Sequence, residues 1–89
     1  MRLYWKQKKS GLDLIVEDTD GNIFSVGGVR DTKRGIEALA KTTGYDPGRS
    51  VKGLSSIEEG KEFVENFQPW REFYPAETLN IQSDIVTSN

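Results

Sequence analysis

Leu12-Asp13-Leu14-Ile15-Val16-Glu17-Asp18-Thr19-Asp20-Gly21-Asn22-Ile23-Phe24-Ser25-Val26, residues 12–26, holds two apolar runs around one tight-turn signal. Successive strand side chains point to opposite faces, so Leu12, Leu14 and Val16 share one apolar face. Asp20-Gly21 tolerates the positive φ that tight hairpin turns require. The segment therefore predicts two antiparallel strands, Leu12 to Glu17 and Ile23 to Val26, joined by the Asp18–Asn22 turn.

Towards the N-terminus the same period continues. Leu3, Trp5 and Gln7 point one way, and Tyr4, Lys6 and Lys8 the other. Lys9-Ser10-Gly11 is a turn, so Leu3 to Lys8 joins as the first strand of a three-stranded meander. Its outer face would carry Tyr4, Lys6, Lys8, Asp13, Ile15 and Glu17. Towards the C-terminus Gly27-Gly28 ends the third strand. Asp31 or Thr32 can cap a helix with Ile36, Leu39, Ala40 and Thr43 on one face and Gly44 just past its end. Residues 44–50 are loop chemistry.

A second helix starts after Ser55 or Ser56. Both Ser55…Glu58 and Ser56…Glu59 fit the capping-box spacing. Ile57, Gly60, Phe63, Val64 and Phe67 form its apolar stripe, opposite Glu58, Glu59, Glu62, Glu65 and Asn66. Pro69 ends it. The expected architecture is α+β: a three-stranded antiparallel meander, two helices and an extended tail. Residues 1–75 form one domain. Residues 76–89, with Leu79, Ile81, Ile85 and Val86, form a tail that can add an edge strand.

Composition narrows the chemistry. The chain has 89 residues, 35% hydrophobic and 29% charged, which suits one globular domain. No apolar run approaches the ~20 residues of a membrane span, and Met1–Lys6 is not followed by the apolar stretch of a signal peptide. A chain without Cys fits the cytoplasm and has no disulfide or thiolate chemistry. Without His it also lacks the commonest general base, and the pair removes the usual zinc ligands. No carboxylate pair is placed by spacing for acid–base work, so an enzyme is not expected, and neither is a cofactor. Asp18-Thr19-Asp20-Gly21 resembles part of a calcium loop. With Gly21 in the glycine place, however, the first and twelfth positions fall on Val16 and Gly27, and both essential carboxylates are missing.

Three features point to partners. Residues 1–36 carry net charge +2 and residues 37–89 carry −4, within a total of −2. Gly27-Gly28-Val29-Arg30-Asp31-Thr32-Lys33-Arg34 would set Arg30, Lys33 and Arg34 at a helix start, where anions are favoured; the plainer reading is a solvated turn. Tyr4, Lys6 and Lys8 on the outer sheet face suit stacking and phosphate contacts, although acids interrupt that stripe and the pI of about 5.1 is against it. Phe67, Trp70, Phe73 and Tyr74 lie between residues 67 and 74, flanked by Pro75. They serve either as a cap on the core or, through Trp70, Phe73 and Tyr74, as anchors for a partner.

The Leu3–Lys8 strand, the Asp20-Gly21-Asn22 turn, Lys33 and Gly35-Ile36 resemble YegP-like bacterial domains of unknown function, over residues 3–43. Asp20-Gly21 and Thr32-Lys33…Ala38-Leu39 also look similar to the amino-terminal DNA-binding domain of phage-type integrases. Neither resemblance supplies a catalytic residue. The expected function is a small non-enzymatic module that binds another protein or a second copy of itself. The alternative is a nucleic-acid-binding module that uses the basic N-terminal sheet face.

Overall fold

The computed structural model describes residues 1–87; the last two residues of the expected tail, Ser88 and Asn89, lie outside the described residues. Five strands pair antiparallel in sequence order: β1 (Arg2–Lys8), β2 (Gly11–Glu17), β3 (Ile23–Thr32), β4 (Gly35–Ala40) and β5 (Ser50–Leu54). A helical segment follows as α1 (Ile57–Phe67) and α2 (Trp70–Phe73), bent where Gln68 takes a left-handed conformation at φ 50°. The sheet therefore has five strands, and one bent helical segment replaces the expected two helices.

The β1–β2 hairpin follows the period-two reading: Leu3 faces Val16 and Trp5 faces Leu14. At the next turn Asp18 accepts the backbone N–H groups of Asp20 and Asn22, each at 2.9 Å. This local side-chain bonding makes Asp a turn residue.

Gly27-Gly28 does not end β3. Leu14 pairs with Gly27 and Ile15 with Ser25, so Val26 is an extra residue, a β-bulge, and the strand runs on to Thr32. The segment expected as the first helix is the hairpin β3–β4. Thr32 Oγ1 accepts the Arg34 N–H at 3.2 Å and donates to the Gly35 carbonyl at 2.7 Å. Gly35 has φ 111°, a conformation costly for any residue with a Cβ. Beyond it Ile36, Ala38 and Ala40 are buried while Leu39 is exposed, which is a strand period. Glu37-Ala38-Leu39-Ala40 has high intrinsic helix propensity. Pairing to strands on both sides overrides it.

The α1 helix begins at the cap the sequence predicts: Ser56 Oγ accepts the Glu59 N–H at 3.1 Å. The helix lies across β3 and β4. Leu3, Trp5, Leu14, Val16, Val26, Val29, Ala38, Val64 and Trp70 belong to the core between the two layers. Trp5 lies in it and donates its indole N–H to Glu65 Oε2 at 2.8 Å. The tail runs parallel to β1, bridging Leu3 to Ile81 and Lys6 to Val86, so it partly covers that edge. The molecule measures 37 × 34 × 18 Å, a two-layer slab whose helical layer lies on one sheet face; on the other, Tyr4 and Ile15 are buried while Arg30, Glu37 and Leu39 line an open trough. Among the described residues no helix is long and apolar enough to cross a membrane.

Candidate functional site: an aromatic ledge beside the uncovered sheet face

Pairing of β3 with β4 brings the start of one beside the end of the other. Phe24 and Leu39 thereby meet the loop 41–49 and α2. Together with Lys41, Tyr45, Pro47 and Phe73 they line an apolar depression of about 540 Å³. Three of its apolar side chains are open to solvent: Tyr45 is 82% exposed, Leu39 45% and Phe24 39%. The Phe24 ring packs on Phe73 at a centroid separation of 5.1 Å and on Tyr74 at 6.4 Å. The Lys41 ammonium stands 5.6 Å from the Phe24 ring centre, within cation–π range.

One arginine holds this ledge in shape. Arg49 follows Pro47-Gly48 in a single 3-10 turn, which Asp46 caps by accepting the Gly48 N–H at 2.9 Å. Its guanidinium donates to the Ala40 carbonyl at 3.3 Å, the Lys41 carbonyl at 2.7 Å and Glu72 Oε2 at 2.5 Å. It also stacks 4.7 Å from the Phe67 ring centre. Glu72 accepts the Thr42 hydroxyl at 2.8 Å. That hydrogen bond, with the Arg49 charge beside it, holds the Glu72 carboxyl below the usual carboxylate range. The loop bearing Tyr45 is thus tied to α2 at several points.

The sequence-expected partner residues divide. Trp70 is only 7% exposed and belongs to the core, so it offers no surface to a partner. Its position explains this, because α2 turns back after the Gln68 bend and Trp70 faces the sheet layer. Phe73 and Tyr74 are half-buried and support Phe24 from below. Phe24 and Tyr45 carry no local signal of a site, and Leu39 is expected on the face of a helix; strand pairing alone unites the three.

The expected basic set is also dispersed. Tyr4 is buried, and its hydroxyl donates to Glu17 at 2.9 Å. Burial and this hydrogen bond push its phenol upward in pKa. Its ring lies beneath the Arg2 guanidinium at 4.8 Å and cannot stack on a base. Lys6 is half-buried, and Lys8 is exposed with its ammonium 3.8 Å from Asp13. Lys33 and Arg34 sit in the β3–β4 turn, and no helix starts there to add its dipole. Arg30 lines the uncovered face, beside Asp13, Gly28, Glu37 and Lys52, in a trough of about 490 Å³, and shares a neighbouring depression with Lys8.

Among the described residues no group of three His, Cys, Asp or Glu side chains could hold a metal ion. No protein-family model matches the chain, and neither a characterised protein nor a solved structure is significantly similar to it.

Proposed function

We propose that the chain is a small non-enzymatic interaction module, suited to the cytoplasm, whose partner site is the ledge of Phe24, Leu39, Tyr45 and Phe73. The observation that carries this reading is the contiguity of three solvent-open apolar side chains on a braced loop and two strand ends. Rigid aromatic rings give large contact area at little entropic cost, and exposed apolar patches with polar rims mark interaction sites. The partner we assign is a second copy. Lys41 and Asp46 both line the depression, and no ion pair joins them within one chain. A two-fold axis through the ledge would set Lys41 of one copy near Asp46 of the other, as isologous interfaces do.

The test is sedimentation equilibrium on the wild type and on Leu39→Asp. The wild type should dimerise with concentration, and the variant should remain a monomer with an unchanged circular dichroism spectrum. A wild type still monomeric at about 1 mM, where even contacts of about −4 kcal/mol would register, contradicts the reading.

A further inference from the structure

The helical layer covers one face of the sheet, and the charge of the molecule is segregated between its two sides. Glu58, Glu59 and Glu62 are exposed on α1. The uncovered face instead holds Arg30, Lys41 and Lys52 around its trough, with Ser25 and Ser50. A second depression of about 380 Å³ continues from the trough, shares Asp13 and Arg30 with it, and adds Lys8 and Lys9. The two together cross the sheet from the end of β1 to β5. Five strands are four spacings of about 4.8 Å, so the path is about 19 Å long.

The ion pairs of the described residues sharpen this picture. They join Arg2 to Glu17, Lys8 to Asp13, Arg49 to Glu72 and Lys61 to Glu58. None of them engages Lys9, Arg30, Lys41 or Lys52. Asp13 is already matched by Lys8, which leaves Glu37 as the unmatched carboxylate of the trough against three cations. An acidic protein thus carries one basic path, recessed and uncovered. Gly28 forms part of its floor, beside the Asp13 carboxylate: a Cβ built there would fall 3.1 Å from Asp13 Oδ1.

We infer that this path binds the phosphate backbone of a single-stranded nucleic acid, with Arg30 and Lys52 as its principal cations and Lys8, Lys9 and Lys41 along its length. The planar guanidinium of Arg30 can donate to two oxygens of one phosphate at once. The exposed Leu39 side chain gives an unstacked base an apolar surface. The recess favours one strand, because the phosphates of a duplex lie on a convex cylinder that meets the rim and not the floor. This set keeps Lys8 and Arg30 of the basic residues expected from the sequence and omits Tyr4, Lys6, Lys33 and Arg34, and it shares Leu39 and Lys41 with the aromatic ledge.

Fluorescence anisotropy of a labelled oligothymidylate of about 12 nucleotides tests it, within the site sizes of single-strand modules. Four phosphates neutralised by the unpaired cations Lys9, Arg30, Lys41 and Lys52 give a slope of log affinity on log salt of about −2.8, so binding should weaken about 50-fold between about 50 and about 200 mM salt. The double variant Arg30→Ala/Lys52→Ala should bind at least tenfold more weakly, with the slope reduced by about 1.4. Lys52→Glu alone should weaken binding in the same sense. Arg71→Ala, on α2, should bind as the wild type does. Melting curves establish that each variant is folded. The proposal is overturned by absence of binding at about 50 mM salt or by equal affinity of the double variant. Tighter binding of the matching duplex also overturns it, as does displacement by polyglutamate as efficient as that by unlabelled oligonucleotide.

Discussion

Gly27 of β3 lies directly beneath Val64 of α1: a Cβ built on Gly27 would fall 2.7 Å from Val64 Cγ1 and 2.8 Å from the Leu39 carbonyl oxygen. The reciprocal contact occurs one turn away, where a Cβ on Gly60 would fall 2.6 Å from Val29 Cγ1. Helix and sheet therefore interlock through two glycines, each receiving a valine from the other layer. The α1 helix is seated closely enough to bury Val64 completely.

Gly27→Ala should consequently destabilise the protein by about 1–3 kcal/mol, the usual cost of overpacking a well-filled core. Val64→Ala added to it should relieve part of that loss and no more, because the Leu39 carbonyl does not move with the side chain. Chemical denaturation of the two single variants and the double variant measures the coupling. Strict additivity would show that the two residues do not meet.

The strand pattern before residue 27 and the Ser56 cap of α1 are legible because their signals are local: alternation, an Asp-Gly turn, and a Ser…Glu spacing. Residues 31–40 are not. Ile36, Leu39 and Ala40 suit a helix face as well as Ile36, Ala38 and Ala40 suit a strand face, and the good helix formers at 37–40 tip the local reading the wrong way. What decides is non-local: β4 fills the gap between β3 and β5, and Gly35 takes a φ that closes a hairpin. The ledge was hidden for the same reason. Phe24, Leu39, Tyr45 and Phe73 are scattered in sequence and become neighbours only after β3 and β4 pair.

The Arg49–Glu72 brace predicts sensitivity to acid. Glu72 is held below its ordinary value chiefly by the Thr42 hydroxyl, with Arg49 beside it. Asp18 is lowered in the same way by backbone N–H groups, that of Asn22 foremost. A carboxylate with a depressed folded pKa stabilises above its unfolded value and loses that contribution as pH falls through the folded one. The melting midpoint should therefore drop as pH is lowered below about 5. Glu72→Gln should melt lower than the wild type at neutral pH and show a shallower acid decline. Thermal unfolding followed by circular dichroism across the acid range checks both. An identical acid slope in the variant would remove Glu72 from the account.

Trp70 and Tyr45 give the most direct test of the claim that the ledge, and not the buried end of the helical segment, carries association. Trp70→Ala empties a core position and should cost about 3–5 kcal/mol. Tyr45→Ala removes a side chain that is 82% exposed. Its unfolding midpoint should stay within about 0.5 kcal/mol of the wild type, as for a surface substitution. The decisive measurement is sedimentation equilibrium of Tyr45→Ala beside the wild type, with both proteins fully folded. The account predicts a dimer constant weakened at least tenfold at unchanged stability. An unchanged dimer constant would contradict it and place the partner surface away from the ledge.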